Sequence, residues 1–191
     1  MNKVGVYIGS FNPVHKGHMR IVNYLLEKKI VDKVLIVPTG NYWNKNDLAT
    51  IGDRINIFKF YENDDIMVDR ENNDALYTYL LLDRLSDRYG KDNLFLIVGA
   101  DNIVNFDKWK RYEEILKYNL IIVDRDNIDV EYYLNKMNKH SEYLLINVPG
   151  CLNFSSSIVR NLIKKEQFKE ALKFIDVEVL NYILSNNLYK N

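Results

Sequence analysis

The chain has one cysteine, Cys151, among 191 residues, so no intramolecular disulfide can form and a reducing compartment fits best. Neither charge is in surplus: 26 Lys and Arg residues balance 26 Asp and Glu, for a formal net charge of +0. A general nucleic-acid surface would show a basic excess, so no nucleic-acid partner is expected, although a small basic pocket for a phosphorylated metabolite stays compatible. No apolar run approaches the roughly 20 residues that span a bilayer, so no membrane partner is expected either. With a strand pattern opening the sequence, no cationic-then-apolar leader is expected. A soluble, cytoplasmic protein is the resulting expectation. Two glycine motifs are missing as well. Without G-x-G-x-x-G or G-K-[ST], neither a dinucleotide-binding turn nor a P-loop is indicated.

What is present is a substantial apolar content, 47% of residues, enough for one or two closely packed domains. Six short β-rich runs recur: VGVYI (4–8), KVLIVP (33–38), DIMVD (65–69), LFLIVG (94–99), LIIVD (120–124) and YLLINV (143–148). They are continuous rather than alternating, as strands covered on both faces are. Between them lie helical stripes, Ile21, Val22, Leu25 and Leu26 on one, Leu81, Leu82 and Leu85 on another. This alternation predicts an α/β fold with a doubly wound, mostly parallel sheet. After Phe154 only helical periodicity remains, with Asp176 placed to cap a helix. Residues 155–191 therefore read as a helical C-terminal part packed on the sheet, within one domain spanning 1–191.

In open α/β sheets ligands bind beyond the carboxyl ends of the strands. The segment after the first run is GSFNPVHKGH, residues 9–18. Gly9 permits a sharp turn or close approach, Asn12-Pro13 initiates a turn, and Gly17 stands where a helix begins and its free N–H groups favour an anion. His15 and His18, three apart, share one side of that first turn and can donate to phosphate oxygens, with an adjacent anion favouring their charged form. Paired histidines also suit zinc, but the other candidate ligands, His140 and Cys151, are remote in sequence. A purely structural turn is the remaining alternative. Near the other end, Ser155, Ser156 and Ser157 precede a helical run, where hydroxyls cap N–H groups or bind phosphate, and Arg160 adds a permanent charged fork. An ordinary capped helix with a solvated arginine would read the same way.

Together these segments resemble a known family. GSFNPVHKGH is similar to the signature G-[GST]-[TS]-F-[DN]-P-x-H-x-G-H of nucleotidyltransferases in the histidine/threonine-and-GH superfamily, and FSSSIVR (154–160) to that family's I-S-S-T-x-I-R. VGADN followed by FDKW, and LYT (76–78), resemble the G-x-D…W and S-Y-T elements of nicotinate-nucleotide adenylyltransferases. The resemblance runs over nearly the whole chain and implies a Rossmann-like nucleotidyltransferase fold. It also implies transfer of AMP from ATP to a pyridine mononucleotide, with Mg²⁺ accompanying the ATP and no metal site made by the protein itself. By the same resemblance His15, His18, Lys45 and Arg160 act in catalysis. Gly9, Ser10, Phe11, His18, Gly99 and Asp101 bind ATP, with Ser156, Ser157 and Arg160 on its β,γ-phosphates. Tyr77, Thr78, Trp109 and Arg125 meet the second substrate. Trp109 as a plain core residue is the competing reading.

Two departures stand out. The family often has PPH and then a cation after the second strand, whereas this chain reads NYWNK (41–45), keeping only Lys45. After LYT, Tyr79, Leu80 and Leu81 replace polar residues, which leaves the preference for nicotinate over nicotinamide open. Phosphopantetheine as acceptor, a non-catalytic nucleotide sensor, and homo-oligomer formation all stay open at this level.

Overall fold

A computed structural model of the protein describes residues 3–40, 48–138, 143–151 and 154–190. Lys45 and the rest of the 41–45 departure, together with His140, lie outside the described residues. Among those described, six strands form one sheet: β1 (Val4–Gly9), β2 (Lys33–Pro38), β3 (Ile66–Val68), β4 (Leu94–Gly99), β5 (Asn119–Val123) and β6 (Tyr143–Ile146). Their spatial order is β3-β2-β1-β4-β5-β6, and every pairing is parallel.

Parallel neighbours need crossover connections, and these put helices on both faces. α1 (Lys16–Glu27) and α2 (Ile51–Phe58) cover one face, and α3 (Thr78–Tyr89), α4 (Ala100–Ile103), α5 (Tyr112–Ile115) and α6 (Val130–Lys136) the other. α7 (Ser156–Lys164), α8 (Phe168–Ala171) and α9 (Val177–Ser185) return to the first face. Each continuous apolar run splits by alternation between the two cores. Leu94, Leu96 and Val98 join the α3 side, Ile97 joins the α1 side, and Leu120 and Ile122 part from Ile121 and Val123 in the same way. The doubly wound reading and the helical C-terminal part are both borne out.

Three local expectations change. β6 stops at Ile146, and Leu144 and Leu145 stay exposed at 42% and 47%, because an edge strand has a neighbour on one side only. β3 covers three residues rather than five, although the flanking Asp65 carbonyl and Asp69 N–H still bond to β2. Asp176 does occupy the N-cap of α9, but its carboxylate makes no cap hydrogen bond. It accepts the Tyr61 hydroxyl at 2.7 Å and pairs with Lys16 Nζ at 3.7 Å. Lys16 also donates through Nζ to the Leu172 carbonyl and through its backbone to the Phe174 carbonyl, at 2.7 and 2.8 Å. The start of α1 is thus fastened to the C-terminal helices. That bond pattern brings the two ends of the sequence pattern together.

Candidate active site

The sheet order reverses direction between β1 and β4, and a crevice opens where their carboxyl ends part. A cavity of about 840 Å³ occupies it. The turn after β1 contributes Gly9, Ser10, Phe11, His15 and His18, and the end of β2 adds Thr39 and Gly40. Tyr77 and Thr78 come from the start of α3, Gly99, Asp101 and Trp109 from the segment after β4, and Arg125 from the end of β5.

The turn itself is held mainly by its acceptors. Arg54 Nη1 donates to the Ser10 carbonyl at 2.7 Å, Arg160 Nη1 to the Asn12 carbonyl at 2.9 Å, and Ser156 Oγ to the Pro13 carbonyl at 2.8 Å. The Asn12 side-chain oxygen accepts the Ala49 N–H at 3.0 Å and the Tyr189 hydroxyl at 2.8 Å. A trans peptide points its N–H opposite to its carbonyl, so fastening the Ser10 carbonyl to Arg54 turns the Phe11 N–H the other way. Phe11 adopts φ 44°, a left-handed conformation that the surrounding bonds maintain.

His15 and His18 cap the helix reciprocally. The His18 N–H donates to His15 Nδ1 at 3.3 Å, the His15 N–H to His18 Nδ1 at 3.2 Å, and the rings stack 3.6 Å apart at 16°. A nitrogen that accepts cannot carry the proton, so both rings are neutral tautomers with an Nε2–H left to donate. Burial drives His15 down to about 4, with the Arg125 charge adding to it, and carries His18 well below its ordinary range, helped by His15 and Arg125. The charged form, expected only beside an anion, is therefore not the resting one. Desolvation and the nearby positive charge both hold the rings neutral, and an anion placed beside them would raise both values.

Gly17 has a packing reason that the sequence did not disclose. A Cβ there would meet Phe154 Cβ at 2.6 Å and His15 Nδ1 at 3.1 Å, so only glycine lets the segment before α7 lie against the histidines. Gly99 makes room in the same way for the Asp101 carboxylate. Asp101 Oδ2 lies 3.8 Å from Arg125 Nη1. Trp109 combines its two candidate readings. It stacks on the fully buried Phe106, with centroids 4.7 Å apart, yet stays half-buried and lines the cavity.

The second motif meets the first directly. Ser155 caps α7 by accepting the Ser157 N–H at 3.2 Å, and Arg160 Nη2 donates to Ser157 Oγ at 3.2 Å. Ser156, Ser157 and Arg160 do not themselves line the cavity. Ser156 and Arg160 tie down the turn that does. Among the described residues, no group of three or more His, Cys, Asp or Glu side chains is arranged to hold a metal ion.

A family model described as cytidylyltransferase-like matches residues 6–162. A probable nicotinate-nucleotide adenylyltransferase of Acholeplasma laidlawii is 35% identical, over 97% of this chain and 96% of its own. Another probable nicotinate-nucleotide adenylyltransferase, from Fusobacterium nucleatum, is 33% identical over 86% of this chain and 89% of its own. The chain belongs to the nicotinate-nucleotide adenylyltransferase family. The fold agrees: Plasmodium falciparum nicotinic acid mononucleotide adenylyltransferase complexed with NaAD superposes with a TM-score of 0.84 at 23% identity, covering 99% of this chain and 98% of that one.

In this adenylyltransferase the cavity wall also contains residues that the motifs do not mark, among them Thr39, Gly40, Asn72 and Asn73. The motifs do not mark Arg54 either. It is fully buried and also donates to the Ala49 and Thr39 carbonyls, at 3.1 and 2.7 Å, so it joins the loops after β1 and β2. A charge on the buried stripe of a short helix, next to Ile55 and Phe58, was the available signal. Tyr189 gave none.

Proposed function

We propose that the protein joins nicotinate mononucleotide to the AMP moiety of ATP, giving deamido-NAD and pyrophosphate in NAD biosynthesis. The observation that carries this is the hydrogen-bonded meeting of Asn12 and Pro13 with Ser156 and Arg160 beside the cavity, in a member of this family. The nucleophile is the acceptor's own phosphate oxygen, largely ionised near neutral pH because its second pKa is about 6. No side-chain nucleophile is needed. Catalysis reduces to alignment and to stabilising charge on the α-phosphate and the departing pyrophosphate.

Each residue has a role in that scheme. His15 and His18 donate Nε2–H bonds to the phosphates, and Ser10 and Phe11 add backbone N–H groups. Gly9 and Gly99 let the nucleotide come close, and Asp101 accepts from the ribose hydroxyls. Arg160, with Ser156 and Ser157, supplies positive potential and hydroxyls beside the β,γ-phosphates, and Lys45 supplies a further cation. Trp109 stacks on the pyridine ring. Tyr77, Thr78 and Arg125 meet that substrate's polar groups.

Mg²⁺ would fit this site as an ion brought in by the triphosphate and held by its phosphate oxygens and water, because among the described residues the one carboxylate that lines the cavity, Asp101, is already near Arg125. When bound it neutralises phosphate charge. Residues 1–191 are read as one nucleotidyltransferase domain with 155–191 as its helical subdomain, a view supported by the core that α7 to α9 share with α1 and α2. A cytoplasmic setting goes with free Cys151 and the use of ATP. Among the described residues no helix is long and apolar enough to cross a membrane.

The test is pyrophosphate release with ATP, Mg²⁺ and each of nicotinate mononucleotide, nicotinamide mononucleotide and phosphopantetheine. Fastest turnover is expected with nicotinate mononucleotide. A faster rate with either other acceptor would overturn the assignment, and ATP binding with no product from any acceptor would make the protein a nucleotide sensor.

A further inference from the structure

One of the bonds that hold the first turn comes from 177 residues away. The Tyr189 hydroxyl donates to Asn12 Oδ1 at 2.8 Å, and the same oxygen accepts the Ala49 N–H, so the Asn12 amide is clamped between the loop after β2 and the segment after α9. Reaching it requires the chain to fold back on itself. Beyond α9 the Leu188 N–H donates to the Ile183 carbonyl at 3.0 Å, while Asn187 and Tyr189 take φ values of 53° and 62°. Such left-handed backbone is disfavoured for residues with side chains, so the contacts Tyr189 gains must hold it there. The phenol lies within the fields of Arg54 and Arg160, the two residues that fasten the Ser10 and Asn12 carbonyls, and burial keeps it protonated and hence a donor.

Resting on the function proposed above, we infer that Tyr189 is a positioning residue: through Asn12, its hydroxyl fixes the turn whose backbone meets the triphosphate. It touches no reacting atom. Its effect is to remove one degree of freedom from residues 10–13, so that the Phe11 N–H and the two imidazoles stay aligned as charge develops on the α-phosphate. A tyrosine that merely filled the core would affect stability and leave the turnover of folded enzyme alone.

The experiment uses Tyr189→Phe, which keeps the ring and removes the donor. Steady-state constants for both substrates are measured together with the thermal midpoint and hydrogen–deuterium exchange of the peptide spanning residues 9–15. The expected result is a kcat about fivefold to tenfold lower, the scale of one lost hydrogen bond. The KM for nicotinate mononucleotide should stay within about twofold of wild type. Exchange should quicken in the 9–15 peptide and not in β4 or β5. Wild-type kcat with wild-type exchange at 9–15 would overturn the inference, as would a kcat loss accompanied by equally faster exchange throughout the sheet. If the wild-type protein does not turn over nicotinate mononucleotide, the functional reading fails, and exchange at 9–15 still decides the clamp: faster in Tyr189→Phe sustains it, unchanged refutes it.

Discussion

His15 and His18 each accept the other's backbone N–H through Nδ1, at 3.3 and 3.2 Å, so one pair of rings both caps α1 and fixes its own tautomers. The protons are left on Nε2, where a phosphate oxygen can accept them. Each ring thus depends on the other for its orientation. The spacing of three residues in H-K-G-H is what the capping geometry requires.

His18→Ala removes the acceptor for the His15 N–H together with the N–H proposed to meet a phosphate oxygen. The kcat should fall at least about a hundredfold, the scale of losing a donor to a developing charge. Far-UV circular dichroism should show the fold retained, and unchanged turnover would refute the assigned role.

The pair also sets an acid limit. The folded-state value of His15 is about 4 against an ordinary 6.5, so between those values the unfolded chain binds a proton that the folded chain does not. The stability tied to neutral His15 is therefore complete above about 6.5 and drains away as pH falls toward about 4. His18 shifts in the same direction and adds to the effect. Thermal midpoints taken from pH 7 downwards should decline across this window. A flat profile would contradict the buried, neutral pair.

Trp109 stacks on Phe106 from the cavity wall, so its removal should be felt by whatever ring binds there. Trp109→Ala should chiefly raise the KM for the pyridine mononucleotide. An effect confined to ATP would contradict stacking on the acceptor.

Arg54 holds three carbonyls from a fully buried position. Arg54→Lys keeps the charge but loses the planar fork, leaving at least one buried carbonyl unbonded. Urea unfolding should show a loss of about 1–3 kcal/mol. Wild-type stability would mean that the loops after β1 and β2 hold each other without it.

The alternation of continuous apolar runs with helical stripes was enough to read the layered sheet, because burial on two faces leaves that signature in any parallel strand. It failed on the edge strand, where Leu144 and Leu145 point to opposite faces and both stay exposed. Motif spacing located the cavity-lining residues of the first turn, since close backbone approach and capping constrain residue type locally. What stayed illegible depends on tertiary contact. Gly17 is needed for Phe154, Asp176 is drawn from its cap by Tyr61 and Lys16, and Arg54 and Tyr189 act on a turn distant in sequence. No local pattern encodes a partner so far along the chain.

The hydrogen bond from Ser156 to Pro13 spans 143 residues, which fixes an order of events during synthesis. The ribosome delivers the turn after β1 early, whereas Ser156, Arg160 and Tyr189 emerge long after it. Since chains fold from the N-terminal side as they are made, the turn has Ala49 and Arg54 to hold it early and gains Ser156, Arg160 and Tyr189 only at the end. A nascent or proteolytically clipped molecule that lacks its last helices therefore lacks three of the bonds that hold Asn12 and Pro13.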